Sequence, residues 1–111
     1  MFATVLVTTP DLASAENIAE RLIELRLVAC ANYWPIRSMY RWKGRVERSG
    51  EYALTLKIRL ADFSTIVEAV RKIHPYDNPC IVRYEISAGS QPYLEWIKES
   101  TERPAEDFAR R

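Results

Sequence analysis

Glycine is scarce in this chain: Gly44, Gly50 and Gly89 are the three present, and none stands in a pattern that could cradle a phosphate at a helix start. A nucleotide site of the glycine-loop kind is therefore not expected. Histidine occurs once, there is no Ser/His/Asp set, and no pair of carboxylates stands at a catalytic spacing, so the reading is of a protein that is not an enzyme. Charge of one sign is not in excess either. Lys and Arg number 16 against 15 Asp and Glu, which removes the clustered positive surplus that nucleic acid or an anionic membrane requires. No apolar run approaches the roughly 20 residues that cross a bilayer. Residues 1–9 lack the basic start and small-residue cleavage site of a secretion signal, so a cytoplasmic setting is expected. The two cysteines, Cys30 and Cys80, have no C-x-x-C spacing and are expected as free thiols.

What is present reads as one α+β domain over residues 1–111, with a polar tail from about residue 101. Phe2 to Thr8 is nearly continuously apolar and β-branched, as a central strand should be. Thr9-Pro10-Asp11 breaks it, and Asp11 is the expected N-cap of a helix whose apolar stripe is Ala15, Ile18, Ala19, Leu22 and Leu25. Leu27 to Trp34 is a second strand that Pro35 should end or bulge before the chain resumes toward Trp42. Met39 to Leu60 has the character of a long hairpin with a bend or bulge at Lys43-Gly44. Its return strand alternates, with Tyr52, Leu54, Leu56, Ile58 and Leu60 on one face and Ala53, Thr55, Lys57 and Arg59 on the other. Asp62 stands as an N-cap before a second helix with the stripe Phe63, Ile66, Val67, Val70 and Ile73. His74-Pro75 ends that helix, Cys80 to Ser87 forms a last strand, and Pro92 opens a short C-terminal helix bearing Tyr93, Leu94, Trp96 and Ile97. From Arg103 to Arg111 little order is expected except where Phe108 docks.

The order βαββαβ is the ferredoxin-like arrangement, with two helices on one face of an antiparallel sheet, a long hairpin between the second and third strands, and the third helix appended. The opposite face would be bare, and self-association is expected to cover it.

Candidate chemistry is thin. Cys30, Cys80 and His74, with Glu51 as an oxygen donor, are the side chains able to take a soft metal such as copper or zinc. Each has an ordinary structural use: buried cysteine packs as a small hydrophobe, and a histidine at a helix end caps it. Lys57, between two apolar residues, is expected to face Glu51 or another carboxylate in an intersubunit cleft, unless its stem lies on the sheet with its amine in water. Trp42, Tyr76 and Trp96 are candidate cleft walls, though aromatics at such contacts are core by default.

Several phrases in order carry a resemblance: Arg26 to Asn32 (RLVACAN), Tyr40 to Arg45 (YRWKGR), His74-Pro75-Tyr76 and Tyr93 to Ile97 (YLEWI). Together they resemble the CutA family of divalent-cation tolerance proteins, over Val5 to about Ile97. The resemblance implies a homotrimer of ferredoxin-like subunits, similar in architecture to the PII signalling proteins, with the long hairpins forming intersubunit sheets, and an association with copper and other divalent cations. One departure stands out. Where the family usually reads HPYxxPEI, this chain carries Cys80 in place of the glutamate, a softer donor that favours Cu(I) or zinc. Two other readings stay open: a regulatory trimer binding a small molecule at the intersubunit cleft, and a scaffold whose property is assembly.

Overall fold

The structure is a computed structural model that describes residues 1–104. Phe108 therefore lies outside the described residues. The elements run β1 (Phe2–Thr9), α1 (Leu12–Glu24), β2 (Cys30–Trp42), β3 (Arg45–Arg59), α2 (Phe63–Ile73), β4 (Ile81–Ile86) and α3 (Gln91–Ser100). All strand pairs are antiparallel in the order β2-β3-β1-β4, which is the ferredoxin-like sheet.

Strand parity assigns the two faces. Ala3, Val5 and Val7 of β1 stand opposite Ile58, Leu56 and Leu54 of β3, and all six are sealed from solvent beneath Ile18, Leu22, Ile66 and Val70 of the two helices. The apolar stripes of α1 and α2 thus meet the alternation of β3, as the periodicity predicts. Asp11 caps α1 by accepting from the Ser14 N–H at 2.8 Å. The helix ends with Arg26 at φ +57, the Leu27 N–H bonding to Leu22 O and the Arg26 N–H to Ile23 O. That is a Schellman closure built without glycine.

Four local expectations are corrected. β2 starts at Cys30 rather than Leu27, because Leu27 and Val28 are spent filling the core from the connection. Pro35 neither ends nor interrupts β2: it is an edge strand, where a missing N–H costs no ladder bond if it points outward. Lys43 and Gly44 make a tight two-residue turn with φ of 50° and 79°, the form that matches strand twist, with no bulge. Asp62 does not cap α2 through its side chain; it pairs with Arg103 at 2.6 Å. Arg103 also donates to the carbonyls of Arg26 and Thr101, so order persists through this residue, and Thr101 is buried.

The second face is partly covered, which corrects the picture of a bare sheet. Arg59, on that face, donates to Thr101 Oγ1 and to Lys98 O, both at 2.7 Å, and so ties the end of α3 down over the last residues of β3, with Ile97 fully buried. The rest stays open, with Trp34, Tyr40, Trp42, Val82 and Tyr84 all exposed.

Candidate functional site

β1 pairs with β3 only as far as Thr9 opposite Tyr52. Beyond that point Ile36–Trp42 and Arg45–Glu51 pair with each other alone, as a two-stranded ribbon overhanging the sheet. The connection from α2 to β4 crosses the end of β1 and meets the base of this ribbon.

His74 makes that crossing rigid. Its Nδ1 accepts the Tyr76 backbone N–H at 3.0 Å, which leaves Nε2 to carry the proton and donate to Thr8 O at 2.8 Å. Both ring nitrogens are thereby engaged in a neutral imidazole. The same hinge sets the His74 and Tyr76 rings against each other at a tilt of 44°, with centroids 5.0 Å apart, and aims the Tyr76 hydroxyl at Glu51, donating to Oε2 at 2.8 Å. Burial first, then the Glu51 carboxylate, raises the Tyr76 pKa well above the ordinary phenol value.

A groove of about 880 Å³ opens beside this pair. Tyr40, Trp42 and Tyr76 line it, together with Glu51, Asp77, Arg37 and the exposed Cys80. Tyr40 and Trp42 lie on the strand face that Glu51 shares, two and four residues past Ser38 in the register. Of the residues expected from sequence, the fold brings Glu51, Tyr76, Cys80 and Trp42 to this groove, while His74 bonds Thr8 and Tyr76 beside it without lining it.

Cys30, Lys57 and Trp96 are elsewhere. Cys30 opens β2 directly opposite Lys57, and both lie six residues of strand from Glu51, roughly 20 Å at 3.3 Å per residue. The Lys57–Glu51 pairing therefore does not form within a protomer. Cys30 instead neighbours Tyr93 of α3, whose hydroxyl pKa is raised by burial and then by that thiol. Trp96 stacks on Tyr93 at 5.5 Å, outside the groove. Among the described residues no group of three or more His, Cys, Asp or Glu is placed to hold a metal ion. Tyr40 and Asp77 are not among the site residues expected from sequence. Tyr40 was legible as the residue two before Trp42 on the same face, whereas Asp77 is placed only by the His74 hinge.

A four-stranded antiparallel sheet with two helices on one face, a third on the far corner and an overhanging ribbon defines a ferredoxin-like α+β protein with its candidate site at the ribbon base. The family profile described as CutA1 divalent ion tolerance protein matches residues 3–100, and the chain belongs to that family. It is 39% identical over 98 residues to the divalent-cation tolerance protein CutA of Archaeoglobus fulgidus, covering 88% of this chain and 96% of the relative. The Thermus thermophilus protein of the same name is 40% identical over 102 residues, covering 91% and 99%. The solved structure titled as the periplasmic divalent cation tolerance protein CutA of Archaeoglobus fulgidus superposes with a TM-score of 0.91 at 38% identity, over 92% of this chain and all of that one. No helix among the described residues is long and apolar enough to cross a membrane.

Proposed function

We propose that the chain serves divalent-cation tolerance as a homotrimer, taking a copper, zinc or similar soft ion as cargo at the ribbon groove. The observation that carries this reading is the exposed Cys80 thiol in the same groove as the Glu51 carboxylate, two donors of the kind such ions take. Among the described residues no third His, Cys, Asp or Glu is placed with these two to close a site, and the remaining positions are filled from a neighbouring copy. The exposed Trp34, Val82 and Tyr84 on the open face, and the unpaired ribbon edges, support assembly of that kind. His74 acts as the hinge that holds the groove, and Cys30 belongs to the packing under α3.

Native mass spectrometry of protein purified without chelator tests both halves. A mass of three chains with bound ion is expected, and Cys80→Ser should lose the ion while Cys30→Ser keeps it. Unchanged metal affinity in Cys80→Ser would remove Cys80 as a ligand. A cytoplasmic setting belongs to the same proposal, supported by two cysteines that form no disulfide; recovery of the native protein in the periplasmic fraction would overturn it. The aromatic walls of the groove favour a second reading, a regulatory trimer that binds a small molecule there.

A further inference from the structure

The hinge at His74 holds only while its ring is neutral. Nε2 donates to Thr8 O at 2.8 Å, and Nδ1 accepts from the Tyr76 backbone N–H at 3.0 Å. The first bond survives the addition of a proton, because Nε2 is already a donor. The second does not: a hydrogen on Nδ1 would meet the amide hydrogen of Tyr76, donor against donor, in a residue only 8% exposed. That same Tyr76 holds its hydroxyl on Glu51. Charge surrounds the hinge from several elements. Glu51 of β3 connects to the ring through Tyr76, Tyr40 of β2 and Asp11 ahead of α1 act on the same phenol, and Arg37 of β2 and Asp77 of the loop line the groove beside it. Arg71 and Lys72 stand exposed in the last turn of α2, and β1 brings a carbonyl but no ionisable side chain.

We propose that His74 is a proton-operated latch at the base of the ribbon. Uptake of one proton from solvent at Nδ1 breaks the bond from the Tyr76 N–H, opens the turn over residues 74–76 and draws the phenol away from Glu51, while the bond to Thr8 keeps the ring in place. Histidine is the side chain suited to such a switch, since its charge changes near neutral pH. All three bonds of the latch lie within one protomer, so it is present in the assembly as in the single chain, and a neighbouring copy seated in the groove does not replace it. The latch goes beyond the metal reading and does not use the Cys80 thiol.

Carbon-13 NMR of the full chain in its native assembly, dialysed against chelator and labelled at histidine Cε1 and tyrosine Cζ, tests the latch. The single histidine needs no assignment, and the Tyr76→Phe spectrum identifies the Tyr76 signal. On acidification the Tyr76 Cζ signal should move towards that of a solvent-exposed tyrosine with the same midpoint as His74 Cε1, as one event. His74→Gln keeps an amide that can donate to Thr8 but does not titrate, so its Tyr76 signal should hold the neutral-pH position across that range. If the Tyr76 signal of His74→Gln moves as in the parent, protonation of Glu51 itself releases the phenol and the latch is refuted. Should that variant not fold, the parent curves decide alone. A His74 that gains its proton with Tyr76 unmoved, a Tyr76 that moves while His74 is neutral, or a ring that stays neutral until the chain unfolds would each overturn the proposal.

Discussion

The two faces of the sheet are made from the same four strands, and they solve opposite problems. Under α1 and α2, every inward position of β1 from Ala3 to Val7 and of β3 from Leu54 to Ile58 is fully buried. Opposite, one strand position over, the chain places Thr55, Lys57, Trp34, Val82 and Tyr84, and α3 covers the corner near Arg59. Burial on the first face supplies the stability of the fold. The second face leaves apolar and aromatic side chains exposed. A period of two lets neighbouring residues on one strand serve these separate ends, since successive side chains point to opposite sides.

The largest effect should come from Leu56→Ala on the helix side, with a loss of about 2–5 kcal/mol in chemical denaturation. A loss below about 1 kcal/mol would mean that the helix face is not the main source of stability. At the corner where the faces meet, Arg103→Ala leaves the Asp62 carboxylate, itself nearly buried, without its 2.6 Å partner, and should cost about 1–3 kcal/mol. If the cost is negligible, the segment after α3 is not a clasp.

Tyr76→Phe, at the groove, should cost about 1 kcal/mol through loss of the bond to Glu51. It should also alter the alkaline limb of stability. Because the folded phenol is harder to ionise than the unfolded one, its contribution is intact below pH 10 and declines as pH rises further; the variant should lack that decline. Asp11→Ala gives a smaller change of opposite sign with pH. The Ser14 N–H holds this carboxyl below its ordinary value of 3.8, so its contribution is present above that pH and is lost on acidification, which urea titrations at pH 3 and pH 6 would compare. Least of all for the fold itself, Tyr84→Ser should leave the intrinsic stability within about 0.5 kcal/mol while lowering the solution mass on dilution. A large destabilisation with unchanged mass would show that the open face is not an assembly surface.

The residues most readable in advance were those with a strong local signal. Ile18, Leu22, Leu56 and Val70 declared themselves by period, and Asp11 by its place before an apolar stripe. Trp42 and Tyr76, expected at an intersubunit cleft together with Lys57 and Trp96, line a groove of one protomer that Lys57 and Trp96 do not line. The errors have a common cause. Pro35 reads as a breaker until β2 is known to be an edge, and Asp62 reads as a cap until Arg103 reaches it. In each, the deciding group is distant in sequence, where no local rule can see it.

By itself the sequence determined the element order, the buried stripes, the hairpin and the family, because period, turn chemistry and phrase spacing are local properties. Tertiary structure alone decided that α3 closes a corner of the second face through Arg59, and that Cys30 of β2 stands opposite Lys57 of β3. It also decided that His74 spends both ring nitrogens on holding Tyr76 against Glu51. Those outcomes depend on pairing register and on contacts across dozens of residues, such as Thr8 with His74, and register exists only once the strands have met.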